Sequence, residues 1–198
     1  MALILITFLF VVNGNRKKAN RLITEQKNEA SRQRDFANEQ KLIVEEKNRE
    51  ITDSILYAKR LQNAILPTDD LLKLHFPKSF ILYRPKDIVA GDFYWLEEDE
   101  SHVYFAVADC TGHGVPGAMV SVVCANALTK AVVEENEKDP GKILDRVRTL
   151  VVDTFSKSDE EVRDGMDIAL IKLSKTGTKL TYAGANNSCY IVRNGELI

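Results

Sequence analysis

Two aspartates stand where a cation could be held. Asp92 follows Gly91 and opens Phe93-Tyr94-Trp95, while Asp109 follows the apolar run Val103 to Ala108 and opens Cys110-Thr111-Gly112-His113-Gly114-Val115-Pro116-Gly117. The run predicts a strand buried on both faces. Asp109 then sits where a core strand ends, and an ionised carboxylate there is destabilising unless a cation or a set of donors receives it. His75, His102 and His113 are scattered and form no metal pair, so the ligation is by oxygen and favours Mg²⁺ or Mn²⁺ over zinc. Two such ions close together can hold a hydroxide between them and orient a phosphoryl group for in-line attack. The chemistry suggested is phosphate ester hydrolysis. Taken on spacing alone, Asp92 is as readily a turn residue, whereas Asp109 heads a glycine-rich loop and points to function.

Other chemistries fit less well. Cys110, Cys124 and Cys189 are widely spaced and odd in number, so neither a disulfide framework nor a zinc pair is legible and a reducing compartment is expected. A cysteine phosphatase would need an arginine six residues after its nucleophile, where Pro116, Lys130 and Gly195 stand instead. Twelve Lys and Arg face eight Asp and Glu up to Leu66, and fifteen face twenty-one after it. An acidic second half argues against nucleic acid as a partner, because phosphate binding needs a concentrated basic face.

The chain must also position these residues. Met1 to Val12 is nearly all apolar and leads through Asn13-Gly14-Asn15 into Arg16-Lys17-Lys18. It is shorter than the roughly 20 residues of a spanning helix, and its basic flank fits a cytoplasmic side. Residues 1–15 are read as the last part of a transmembrane helix. Residues 16–66 hold no proline or glycine, and Ile23, Ala30, Ala37, Val44, Ile51, Ala58 and Ile65 recur every seventh position. Such a repeat is a coiled-coil seam. Its companion positions, Gln26, Gln33, Gln40, Lys47, Ser54 and Leu61, are mostly polar, so a parallel dimer would be weak and able to shift between states of similar energy.

Pro67 and Thr68-Asp69-Asp70 mark the entry to a globular part over 67–198. Strands are predicted over Phe80 to Arg84, Gly91 to Glu97, Val103 to Ala108, Asp167 to Leu173, Leu180 to Ala185 and Ser188 to Val192, with the acidic Glu97 to Glu100 as a solvated turn. Pro116 opens one helix, with Ala118, Met119, Val122, Val123 and Ala127 as its apolar stripe. Asp139 caps and Pro140 begins a second, with Ile143, Leu144, Val147, Leu150, Val151 and Phe155 as its face. Asn194-Gly195 is a strong hairpin signal, and Glu196-Leu197-Ile198 starts a returning strand. The pattern of strands, two helices and strands is α+β.

The segments GDFYW, VADCTGHGVPGAM, DGMDIAL and YAGANNSCYIV, in that order, resemble the metal-dependent serine phosphatases of the PPM superfamily, in the bacterial SpoIIE-like branch. The resemblance covers about Leu66 to Ile198, and Tyr57 to Pro67 is similar to the helix that leads into such domains in membrane-tethered signalling proteins. It implies an α-β-β-α sandwich of two antiparallel sheets flanked by helices, and two Mn²⁺ or Mg²⁺ ions. It also implies roles: Asp109 bridges both metals and is the catalytic residue, Asp92 holds one ion, and the main-chain carbonyl of Cys110 joins that ion. His113 as a general acid, Asp164 and Asp167 as further ligands and Arg84 as a phosphate contact are weaker transfers, since turn, cap and surface roles explain them as well. The family's remaining aspartates, in a D-G and a D-D motif, would lie beyond Ile198, so the domain reads as truncated at both ends, incomplete in its metal site and low in activity. The implied setting is the inner (cytoplasmic) membrane with the phosphatase domain in the cytoplasm, a homodimer through the coiled coil, and a phosphorylated regulatory protein as substrate. The alternative is a catalytically silent dimeric module that binds a partner. A sensor histidine kinase shares the layout, but the long helix carries no histidine and no glycine-rich ATP-binding set follows.

Overall fold

The computed structural model describes residues 2–157 and 164–198. The first helix, α1 (Ala2–Asn63), runs without a break through both the apolar start and the heptad segment. The chain divides into two compact units, Met1–Thr52 and Asp53–Ile198. In the first unit every side chain from Ile6 to Glu50 is exposed. Its heptad residues Ile23, Ala30, Ala37, Val44 and Ile51 therefore meet no cover within this chain. Exposed pairs such as Arg21 with Glu25 and Lys41 with Glu45 add only tenths of a kcal/mol each, about 0.2–0.5 by peptide standards.

In the second unit the last turns of α1 are partly covered: Ile55 and Ala58 become half-buried and Gln62 is buried, and Ile65, just past the helix, is half-buried, so the row that includes Ala58 and Ile65 finds cover here. The helix stops at Asn63, ahead of Pro67. Thr68 then caps a short helix, α2 (Asp69–His75), by accepting from the Leu71 amide. The sequence reading treated this segment as a boundary only.

Four strands form an antiparallel sheet in the order β1 (Phe93–Glu98), β2 (His102–Cys110), β3 (Met166–Ser174), β4 (Leu180–Ala185). A second, two-stranded sheet pairs β5 (Val192–Arg193) with β6 (Glu196–Leu197). Its turn is the expected one, with Asn194 and Gly195 both at positive φ, as a tight hairpin requires. One face of the large sheet is covered by α3 (Gly114–Thr129), which continues into a π turn at Lys130–Glu134, and by α4 (Pro140–Phe155). Phe93, Trp95, Tyr104, Ala106, Ala108, Ile168 and Leu170 from the strands pack with Cys124, Leu128, Ile143, Val147 and Val151 from the helices. Asp139 caps α4 by accepting from the Lys142 amide, with Pro140 in the first turn. The architecture is α+β, as the sequence implies.

Four details differ from the sequence reading. Phe80 to Arg84 forms no strand and pairs with nothing among the described residues, and Phe80 and Leu82 are largely exposed; an apolar run becomes a strand only where a neighbour takes its backbone hydrogen bonds. Similarly, Ser188 to Ile191 stays irregular and strand pairing begins at Val192. β2 is buried on both faces only over its first half: Tyr104, Ala106 and Ala108 face the helices, and Val103 is buried on the other face with Leu72 and Leu96, but Val107 on that face is about half exposed (49%). Met119, expected in the core, is 62% exposed, while Ala118, Ser121, Cys124, Ala125 and Leu128 turn inward. α3 is apolar on nearly every side, so periodicity could not choose its face.

The acidic turn does more than meet solvent. Asp99 accepts from the Ser101 and His102 amides, the Tyr104 hydroxyl and the Lys138 ammonium. Burial alone would raise its carboxyl, but these donors hold it well below the usual carboxylate range. The turn is thus bonded to the loop before α4.

Candidate metal centre

Strand register places the carboxylates. Phe93 pairs with Ala108, so Asp92 lies one step past the end of that ladder, beside Asp109. Burial, a hydrogen bond shared with Asp109 and the Asp109 charge all raise the Asp92 carboxyl above its ordinary value. Two acids that close compete for one proton unless a cation neutralises both. On the other side, Asp109 pairs directly with Asp167 across β3, which brings a third aspartate into the same row.

The backbone around this row is packed too tightly for side chains. A Cβ built on Gly91 would lie 2.9 Å from the carbonyl oxygens of both Cys110 and Gly112, and one on Gly117 would lie 2.6 Å from the Gly112 oxygen and 3.2 Å from the Gly91 Cα. Glycine at 91 and 117 lets the loop fold down over the residue before Asp92. Gly112 itself has φ 84°, a conformation that favours glycine. The Cys110 carbonyl is thereby held against the Gly91-Asp92 segment. Its sulfur faces the core: contact with the Cys124 thiol, burial and the nearby aspartates push the Cys110 thiol up, so it stays neutral and only the carbonyl is a hard donor.

Asp164 and Asp167 line a shallow cleft of about 370 Å³ together with Asp109, Cys110 and Thr111. Both already have partners. The Thr111 hydroxyl donates to Asp164 at 2.7 Å, and the Asn186 amide donates to Asp167 at 2.8 Å. His113 is exposed, with Nδ1 3.0 Å from Asp87 Oδ2. Arg84 is exposed on the unpaired segment. Sequence reasoning missed Tyr83, whose hydroxyl donates to the Asp92 carbonyl at 3.1 Å and whose ring meets Tyr94 edge to face. It also missed Asp87, since a partner 26 residues from His113 leaves no spacing signal.

The donor set fits a divalent cation of the Mg²⁺ or Mn²⁺ kind: two adjacent carboxylates and a main-chain carbonyl, all oxygen. Among the described residues no group of three His, Cys, Asp or Glu side chains gathers closely enough to hold a metal ion, so the cluster consists of the Asp92–Asp109 pair and that carbonyl.

A four-stranded antiparallel sheet flanked by helices, with paired aspartates at the strand ends, is the arrangement of a PP2C-like phosphatase fold. The chain is similar to a solved structure, the SiaA-PP2C domain of Pseudomonas aeruginosa, at 34% identity and a TM-score of 0.64, covering 72% of this chain and 56% of that one. It thus spans a little over half the length of that relative. No curated protein matches the chain. Residues 99–197 match the family described as stage II sporulation protein E (SpoIIE), and the chain belongs to that family.

Proposed function

We propose that the chain is the phosphatase part of a membrane-tethered bacterial signalling protein that removes phosphate from serine or threonine of a regulatory protein. The observation that carries this reading is the Asp92–Asp109 pair beside the Cys110 carbonyl in a chain of the SpoIIE family. Asp109 would be shared between two ions of Mn²⁺ or Mg²⁺, with Asp92 and the Cys110 carbonyl completing the hold on one of them. When bound, the ions supply positive charge that acidifies a water nucleophile and offsets the charge of the phosphoryl group. The protein's own part is positional. The β1–β2 ladder fixes the carboxylates, Tyr83 holds the Asp92 main chain, and the 111–117 loop covers one side.

The exposed heptad row of α1 would pair with a second copy, and the apolar start would sit at the inner membrane with the Arg16-Lys17-Lys18 flank in the cytoplasm. Among the described residues, the one helical span long and apolar enough to cross a membrane is Gly114–Glu134, and 56% of its most apolar window is buried in the core. It is therefore a core helix, and the tether we propose is the apolar N-terminal segment with its basic flank.

Phosphate release from a phosphoserine peptide, measured with Mn²⁺ and with EDTA, tests the reading. Release that needs Mn²⁺ and is lost in Asp109→Asn supports it, and release indifferent to both refutes it. A second reading is a silent module that binds its partner without hydrolysis; binding of a phosphoprotein without turnover under saturating Mn²⁺ would select it.

A further inference from the structure

Between α4 and the strands β3 and β4 lies a cavity of about 550 Å³, inside the range of about 300–1,000 Å³ that binding sites occupy. Its walls are apolar: Val147 and Val151 come from α4, Met166 and Ile168 from β3, and Ala183 from β4. Packed interiors leave few voids larger than a water molecule, so a space of this size beside the core is a feature of the sequence. A small residue helps keep it open. Ala183 stands opposite Leu170 in the β3–β4 ladder, and a longer side chain at 183 would reach into the space. Asp145, Arg148 and Asp164, all exposed, give the cavity a polar edge.

The cavity adjoins the metal cleft. Asp164, Gly165 and Met166 line both, so this short segment is the divide between them. Thr111 fixes the divide from the cleft side: its amide donates to the Gly165 carbonyl at 3.0 Å, and its hydroxyl donates to Asp164 at 2.7 Å and accepts from the Gly165 amide at 3.2 Å. Because Thr111 follows Cys110 directly, main chain sets the spacing from the candidate ligands to the cavity. Gly165 is not at positive φ, and a Cβ built on it would meet nothing within 4 Å. Neither backbone conformation nor packing calls for glycine there. Its effect is to keep the divide low, where a side chain would stand in open space.

We propose that the cavity is a side-chain subsite for the phosphorylated partner: with a phosphoserine at the Asp92–Asp109 centre, the flanking segment crosses Gly165 and seats an aliphatic side chain against Val147, Val151 and Met166. The subsite selects substrates by a residue close in sequence to the phosphoserine. This rests on the reading of Asp92 and Asp109 as the centre that receives the phosphate. Continuity with the cleft assigns the occupant, since the chain that brings the phosphate is the one that reaches the cavity.

The test uses the whole chain with Mn²⁺ and short phosphoserine peptides of polar sequence, in which a single leucine is moved one position at a time along both sides of the phosphoserine. Binding is read by fluorescence anisotropy, and phosphate release is followed in parallel. Leucine at one position, or at two alternate ones, should tighten binding about ten-fold over the all-polar peptide, part of what burying one such side chain supplies. Ala183→Leu, which fills the cavity, and Gly165→Val, which raises the divide, should each bring that gain to within about two-fold. Val133→Ser, at an exposed position outside the cavity, should keep it. If Ala183→Leu does not fold, as Trp95 fluorescence in urea will show, Gly165→Val carries the test. Leucine peptides that all bind within about two-fold of the polar one, a gain that does not depend on position, or a gain that survives both substitutions overturns the proposal. Position-dependent binding without phosphate release leaves the subsite standing and refutes hydrolysis, whereas release without a leucine preference refutes the subsite alone.

Discussion

Substituting Gly91 with alanine perturbs the site without touching a ligand. The new Cβ would stand 2.9 Å from two carbonyl oxygens, those of Cys110 and Gly112, where ordinary contact begins about half an ångström further out. Both obstacles are main chain, so neither can swing aside as a side chain would. Overpacking of this kind costs about 1–3 kcal/mol. Two backbone contacts at once place Gly91→Ala in the upper half, at about 2 kcal/mol or more. Trp95, the only tryptophan, is buried in β1 four residues away, so its fluorescence follows unfolding in urea. With a slope of about 2 kcal/mol per molar, the midpoint should fall by about 1 M. Relief comes only by pushing the Cys110 carbonyl away from Asp92, so Mn²⁺ affinity should fall as well. Gly14, with nothing within 4 Å, is the control: alanine there should be neutral or stabilise α1 by about 0.5–1 kcal/mol. A Gly91→Ala protein with an unchanged midpoint and unchanged Mn²⁺ binding would refute the claim that the loop is packed onto this residue.

Asp109→Asn should abolish Mn²⁺-dependent phosphate release, whereas Asp164→Asn, which removes a charge but keeps an oxygen to accept from the Thr111 hydroxyl, should leave much of it; equal loss in both would widen the site to Asp164. Asp99→Ala should cost about 2 kcal/mol at neutral pH, read by urea unfolding. The folded Asp99 carboxyl is depressed, so its stabilisation is full above the ordinary carboxylate range and is lost as pH falls below that range, and the gap between parent and variant should narrow in acid. Asp139→Ala removes the α4 cap and should cost about 1 kcal/mol, a shift that Asp139→Ser should largely restore.

What the sequence makes legible follows from local chemistry. Asp139-Pro140 announces a helix start, Asn194-Gly195 a tight turn, and Asp109 at the head of a glycine-rich loop a strand end, because in each case the residue type does its work within three or four positions. The strand at Phe80 to Arg84 failed for the opposite reason: pairing depends on a neighbour that composition does not reveal. Gln62 was hidden because glutamine in a helix reads as surface, and its partners Ala90 and Ser121 lie 28 and 59 residues away. The closeness of Asp92 to Asp109 was expected from family resemblance; strand register then gives it a cause.

The most direct measurement is Mn²⁺ binding by titration calorimetry to the parent chain and to Asp92→Asn, Asp109→Asn and Asp164→Asn. Saturable binding that disappears in the first two and persists in the third is the predicted result. No saturable binding by the parent, or binding that survives Asp109→Asn, would contradict the assignment of the Asp92–Asp109 pair as the metal centre.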